Sequence, residues 1–183
     1  MPTNPALPPL GAFHHVAFRC RDAEETRRFY EGLLGLPLAA GLAFDEISGT
    51  ATKLRYLHVF FQLGDGNYLA FFDAPDSAKE DAFKPRSGFN RHIAIQAPSL
   101  PALMDYKRHL EANGVACNGP LDHGFVQSIY FFDPNGIQVE ITARTESHDA
   151  ILAEEGRKAA ADLAAWTEQT AAAKRGRGLH VAA

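Results

Sequence analysis

Residues 122–142, DHGFVQSIYFFDPNGIQVEIT, decide how the chain is read. Phe131-Phe132-Asp133-Pro134-Asn135-Gly136 is a strand entering a turn, with Pro134 and Asn135 suited to the corner and Gly136 closing it. Ile137-Gln138-Val139-Glu140-Ile141 then alternates apolar and polar, the pattern of a strand with two different faces. The same hairpin stands 70 residues earlier as Phe61-Gln-Leu-Gly-Asp-Gly66, and His15-Val-Ala-Phe18 returns 77 residues later as His92-Ile-Ala-Ile95. The chain therefore carries an internal repeat, shortened in its second copy between helix and last hairpin.

Each copy reads strand–helix–strand–strand–strand. The first has a strand at Phe13–Arg19 and a helix from Ala23 to Leu34, capped by Asp22 and stopped by Gly35 and Pro37. Strands follow around Leu38–Ile47, Lys53–Leu63 and Asn67–Asp73. The second has Arg91–Gln96, a helix capped by Ser99 and ended by Gly114, then Val115–Cys117, Phe125–Phe132 and Gly136–Thr142. One copy alone hardly buries both helix and sheet. The fold class expected is therefore α+β: two repeated βαβββ modules forming one curved eight-stranded mixed sheet, a cup with helices outside, plus a C-terminal helix.

The boundaries are a flexible arm over 1–12, the double module over 13–143 and a C-terminal helix with a loose tail over 144–183. Within the double module, module 1 spans 13–73, the connection 74–89 and module 2 90–143. In the last segment Leu152, Ala159, Leu163 and Trp166 share one helical stripe, expected to pack on the module pair or on a second subunit of a homodimer.

Composition bounds the function. The chain has 183 residues, 46% hydrophobic and 22% charged, ordinary for a globular protein of one domain or two small modules. Net charge is −4 with no basic stripe before the last ten residues, which argues against nucleic acid or an anionic membrane as partner. Cys20 and Cys117 are isolated and suggest neither a disulfide framework nor a zinc knuckle. No signal peptide and no apolar run of about 20 residues is read, so a cytoplasmic protein acting on a small molecule is expected.

Alternation sorts the strands into faces. Val16 and Phe18 oppose His15, Ala17 and Arg19; Ile93 and Ile95 oppose His92, Ala94 and Gln96; Ile137, Val139 and Ile141 oppose Gln138, Glu140 and Thr142. His14 falls on the apolar side and is read as structural. The polar faces either meet water or line a common cavity. In the second case two imidazoles and a carboxylate match the facial triad that binds ferrous iron and leaves coordination positions open.

Three groups of residues carry a resemblance: His15-Val-Ala-Phe with Asp22, Phe29-Tyr30 and Leu34-Gly35-Leu36; His92-Ile-Ala; and Asp133-Pro134-Asn135-Gly136 with Glu140. On these, Phe13 to Thr142 resembles the vicinal oxygen chelate superfamily, the glyoxalase/bleomycin-resistance/extradiol-dioxygenase fold. The resemblance assigns four metal positions to His15, Ala70, His92 and Glu140. Ala70 cannot ligate, which leaves the His, His, Glu set of extradiol ring-cleaving dioxygenases and an Fe(II) or Mn(II) ion. His123, Ile129-Tyr130 and Glu140 continue that signature, with Leu121 a departure from it and an additional module pair missing. By resemblance His123 is the proton-transfer residue, against a surface loop histidine. Tyr130 is a donor to substrate oxygen, against a core aromatic. His58, opposite Ser128 in the repeat, is a further ligand or acid/base, against a packing histidine. The functions implied are an extradiol-type dioxygenase on a catechol-like molecule, a non-oxidative isomerase or lyase on the same metal, or a metal-free binding protein of the bleomycin-resistance kind.

Overall fold

The computed structural model describes residues 7–8 and 10–179. Part of the expected arm (1–6 and 9) and the end of the expected tail (180–183) lie outside the described residues. Seven of the eight expected strands are present, and the one expected at Val115–Cys117 is replaced by a strand at Asn118–Asp122, giving two mixed four-stranded ladders. Module 1 has β1 (His15–Cys20), β2 (Leu38–Glu46), β3 (Lys53–Gln62) and β4 (Tyr68–Asp73), in the order β1-β4-β3-β2. Module 2 has β5 (His92–Gln96), β6 (Asn118–Asp122), β7 (Val126–Phe132) and β8 (Gln138–Arg144), in the order β5-β8-β7-β6. In both, the first strand runs parallel to the last and the remaining pairs are antiparallel.

The repeat is kept residue by residue. Ala17 lies beside Ala70, which lies beside Phe60; Ala94 lies beside Glu140, which lies beside Tyr130. The first helix differs from a plain α-helix. α1 (Ala23–Arg27) is capped by Asp22, whose side chain accepts from Glu25 N at 2.7 Å, and passes into one π-helical turn over Arg28–Leu33. Gly35, at φ +73, closes it as Leu36 N bonds back to Tyr30 O at 2.8 Å. α2 (Leu100–Ala112) is capped by Ser99 and followed by Gly114 at φ +81.

The apolar faces and both helices build one core. Tyr30 stacks with Phe61 and lies 4.9 Å from Phe71 in module 1, while its neighbour Phe29 reaches Phe131 of module 2 at 6.2 Å. Ile129, Val139, Ile141, Leu103 and Leu110 complete the cluster. A polar clamp joins the modules beside it. The buried Tyr30 hydroxyl donates to Asp133 Oδ2 at 3.0 Å, Asn135 Nδ2 donates to Thr26 Oγ1 at 3.2 Å, and Arg21 N donates to Asn135 Oδ1 at 3.0 Å. Asp133 also accepts from Asn135 N and Ile137 N, so the turn following β7 is stitched internally and to α1 at once. Burial of Asp133 raises its pKa despite these bonds.

With the apolar faces turned inward, the polar sides of the outer strands face out: His15, Ala17 and Arg19 of β1 and His92, Ala94 and Gln96 of β5 are all exposed. α3 (His148–Gly176) leaves the end of β8 and buries none of its residues. Leu163 and Trp166 on its stripe are 66% and 60% exposed. Its first turn meets module 2, where Phe125 and His148 approach to 6.0 Å.

Candidate functional site

β5 and β8 bring the first pair together. In the parallel register His92 stands beside Gln138, and Glu140 beside Ala94, whose methyl leaves the carboxylate uncrowded. Glu140 is 6% exposed, and its Oε2 lies 3.2 Å from His92 Nε2. His92 Nδ1 lies 3.0 Å from Gly88 O. A carbonyl only accepts, so Nδ1 carries a proton, and Nε2 faces a carboxylate oxygen. Two lone pairs facing each other repel unless a proton or a cation joins them. Two donors at right angles around an ion, each about 2.1 Å from it, stand about 3 Å apart. The pair therefore fits a metal, with Gly88 O as the outer partner that orients the imidazole.

β1 carries the other half. His15 is exposed, and its Nδ1 sits 2.8 Å from His14 Nδ1, leaving Nε2 free. His14 is not a core residue: β1 begins at His15, so alternation does not reach it, and it is exposed. Its contact with His15 is not foreseen by the sequence reading, for which the adjacent pair His14-His15 was the available signal. His58 lies 6.2 Å from His15 and stacks on Phe72 at 3.8 Å. Its Nε2 is buried without a partner. Burial first, and His15 second, lower its pKa.

Among the described residues no three His, Cys, Asp or Glu side chains converge on one point. Thus His92 and Glu140 meet, while His15 stays on the face of the other module.

The two remaining predicted residues do come together. His123 Nε2 lies 2.9 Å from the Tyr130 hydroxyl, the rings nearly perpendicular at 87°. Tyr130 pairs directly with Glu140 across β7 and β8. Burial pushes the Tyr130 hydroxyl pKa up and the Glu140 carboxylate adds to the rise, so at neutral pH Tyr130 is a donor. His123, Tyr130, Glu140 and His92 therefore line one side of module 2 as a connected set. Ala70 occupies the place of Glu140 in module 1 and is fully buried.

The model of the Glyoxalase/Bleomycin resistance protein/Dioxygenase superfamily matches residues 12–141. The chain belongs to that superfamily. The match takes in every residue of the two half-sites and ends within β8. A curated relative, the uncharacterized protein YwkD of Bacillus subtilis (strain 168), is 24% identical over 135 residues, covering 72% of this chain and 96% of the relative. A glyoxalase/dioxygenase from Nostoc punctiforme is 29% identical, with a TM-score of 0.55 over 79% of this chain and 99% of its own. The fosfomycin resistance protein FosX of Listeria monocytogenes, solved with Mn(II) and sulfate, is 18% identical, with a TM-score of 0.52 over 76% of this chain and 97% of its own. No helix among the described residues is long and apolar enough to cross a membrane.

Proposed function

We propose that the protein is a metal-dependent enzyme of this superfamily, acting on a catechol-like small molecule in extradiol fashion, with a metal site shared between two copies of the chain. The observation that carries the metal is the His92–Glu140 pair: Nε2 and Oε2 face each other at 3.2 Å while Gly88 O fixes the ring. The third ligand in this reading is His15 of a second copy. Within one chain the three do not converge, and both half-sites lie on outward faces where another copy can reach them. The bare stripe of α3 supports the same assembly, since it finds no cover on its own modules. The ion bound to FosX supports Mn(II) or Fe(II) over zinc, as does the mixed nitrogen and oxygen set.

When bound, such an ion would supply Lewis acidity and open positions for two neighbouring substrate oxygens. Tyr130 orients one of those oxygens by donating its hydroxyl proton. The proton of the substrate hydroxyl passes to the Tyr130 oxygen as the Tyr130 proton moves to His123 Nε2; the exposed His123 releases it to water, and Tyr130 is left donating to the substrate oxyanion. His58, neutral and lacking a partner, is the acid/base candidate on the module 1 side. A non-oxidative isomerase or lyase on the same pair is the second reading. It is favoured by the absence of any requirement for oxygen in what His92, Glu140 and His123 do, and oxygen uptake during turnover separates the two.

Complementation tests the shared site. His15→Ala and Glu140→Ala each lose metal. Mixed and refolded together, they regain about a quarter of the wild-type content, because half the dimers are mixed and each mixed dimer holds one intact site. Metal analysis of the mixture is the measurement. No recovery on mixing would place all three ligands in one chain, and full metal in Glu140→Ala alone would remove that residue from the site.

A further inference from the structure

We infer that the outward face of module 1 is a slot for a flat, conjugated anion such as an aryl carboxylate, laid along β1 from His15 to Arg19; this rests on the reading that the same face lines the active site. β1 presents His15, Ala17 and Arg19 in sequence on that face. Four residues of strand separate the two ends by about 13 Å. Between them β1 presents only the exposed methyl of Ala17, with Ala70 buried beside it.

The side of that path is aromatic. Phe60 lies 5.7 Å from His15, His58 stacks on Phe72, Tyr56 lies 5.6 Å from Phe72, and Phe44 stacks on Tyr56 at 5.0 Å. A ring inserted there meets π faces rather than aliphatic chains, which favours a planar ligand over a puckered one.

The Arg19 end supplies the charge preference. A cavity of about 330 Å³ opens there, lined by Arg19, Leu54, Tyr56 and Phe72 among others. The guanidinium is pinned, donating to Ala74 O at 3.0 Å and Ser77 Oγ at 3.2 Å. Among the described residues no carboxylate lies within ion-pair distance of it; the nearby Asp76 pairs with Arg55 instead. A fixed cationic fork beside an apolar cavity, without a counterion of its own, is built to take a carboxylate from outside. The unpartnered His58 Nε2 lies in the same row as Arg19 and Phe72, so an oxygen substituent part-way along the ring would satisfy it.

Calorimetric titration with 2-naphthoate, its neutral amide and cyclohexanecarboxylate tests this on the protein as purified, with and without chelator, and with metal content measured on the same samples. The naphthoate binds, the amide and the saturated acid bind at least about tenfold more weakly, and Arg19→Gln weakens the naphthoate about 10- to 100-fold while metal content and melting temperature hold. Arg19→Lys, which keeps the charge but not the fork, falls between. The inference is overturned if acid and amide bind alike, if the saturated acid matches the planar one, if Arg19→Gln changes nothing, or if no planar acid binds. Arg19-dependent binding in a protein without metal leaves the slot standing and removes the enzyme reading. Metal without planar-acid binding removes the slot alone.

Discussion

Modules 1 and 2 share a register but not a chemistry. The row Ala17, Ala70, Phe60 in the first is Ala94, Glu140, Tyr130 in the second. Their last turns differ just as sharply. At Gly66, φ +87, an added methyl would meet nothing within 4 Å; at Gly136, φ +71, it would meet Phe83 O at 2.4 Å and Lys84 O at 2.5 Å. The repeat therefore supplies a scaffold used twice, and one copy was specialised twice over. Module 2 carries the carboxylate with Tyr130 and His123 beside it, and its turn is the wedge on which the connection and α1 rest.

Five substitutions break or sharpen that contrast, beginning with the largest effect. His123→Ala removes the proposed proton-transfer residue of module 2, and steady-state kinetics should show turnover down by about 10² to 10⁴ with metal retained. Lost metal would instead make His123 a ligand, and unchanged turnover a bystander. Gly136→Ala forces both a left-handed backbone strain and a backbone clash; denaturant unfolding should show a loss of about 3–5 kcal/mol, against about 1–2 for Gly66→Ala, where strain acts alone. Equal losses would mean that the connection yields freely around Gly136.

Ala70→Glu writes the module 2 row into module 1. Ala70 is fully buried, so overpacking should cost about 1–3 kcal/mol. In the shared-site reading the new carboxylate also fills an open coordination position, keeping metal but ending substrate-dependent oxygen uptake. Wild-type oxygen uptake in a folded, metal-loaded variant would mean that position 70 does not face the ion. Tyr30→Phe, finally, takes one hydrogen bond from the buried Asp133 carboxylate and should cost about 1.5–3 kcal/mol by thermal or chemical denaturation.

The same two turns respond oppositely to pH. Bonds from Asn67 hold the Asp65 carboxylate below its ordinary range, so its contribution is present above the unfolded pKa and lost as pH falls. Burial raises Asp133, so its contribution is full below the unfolded pKa and is lost as pH rises through the folded one. Stability measured against pH for Asp65→Asn and Asp133→Asn should therefore diverge from wild type in opposite directions. Parallel curves would mean that burial does not dominate at Asp133.

By itself the sequence determined the repeat, seven of the eight strands and the two faces of each, because alternation with period two is a local property that survives any packing. Alternation also set His92 and Glu140 on the polar faces of their strands, whereas His123 and Tyr130 entered only through the family resemblance. Local reading failed where neighbours decide. Gly119-Pro120 reads as a breaker, which shifted β6 from 115–117 to Asn118–Asp122; the ladder tolerates it because β6 is an edge strand. The π-helical turn of Arg28–Leu33 is a choice of hydrogen-bond partner that spacing does not encode. Only the tertiary structure decided that His15 and the His92–Glu140 pair lie apart, on separate modules. The reason is physical: the direction in which a face points is written in the strand, but which other face it meets depends on the burial of Tyr30, Phe131 and Asp133, residues more than a hundred positions apart.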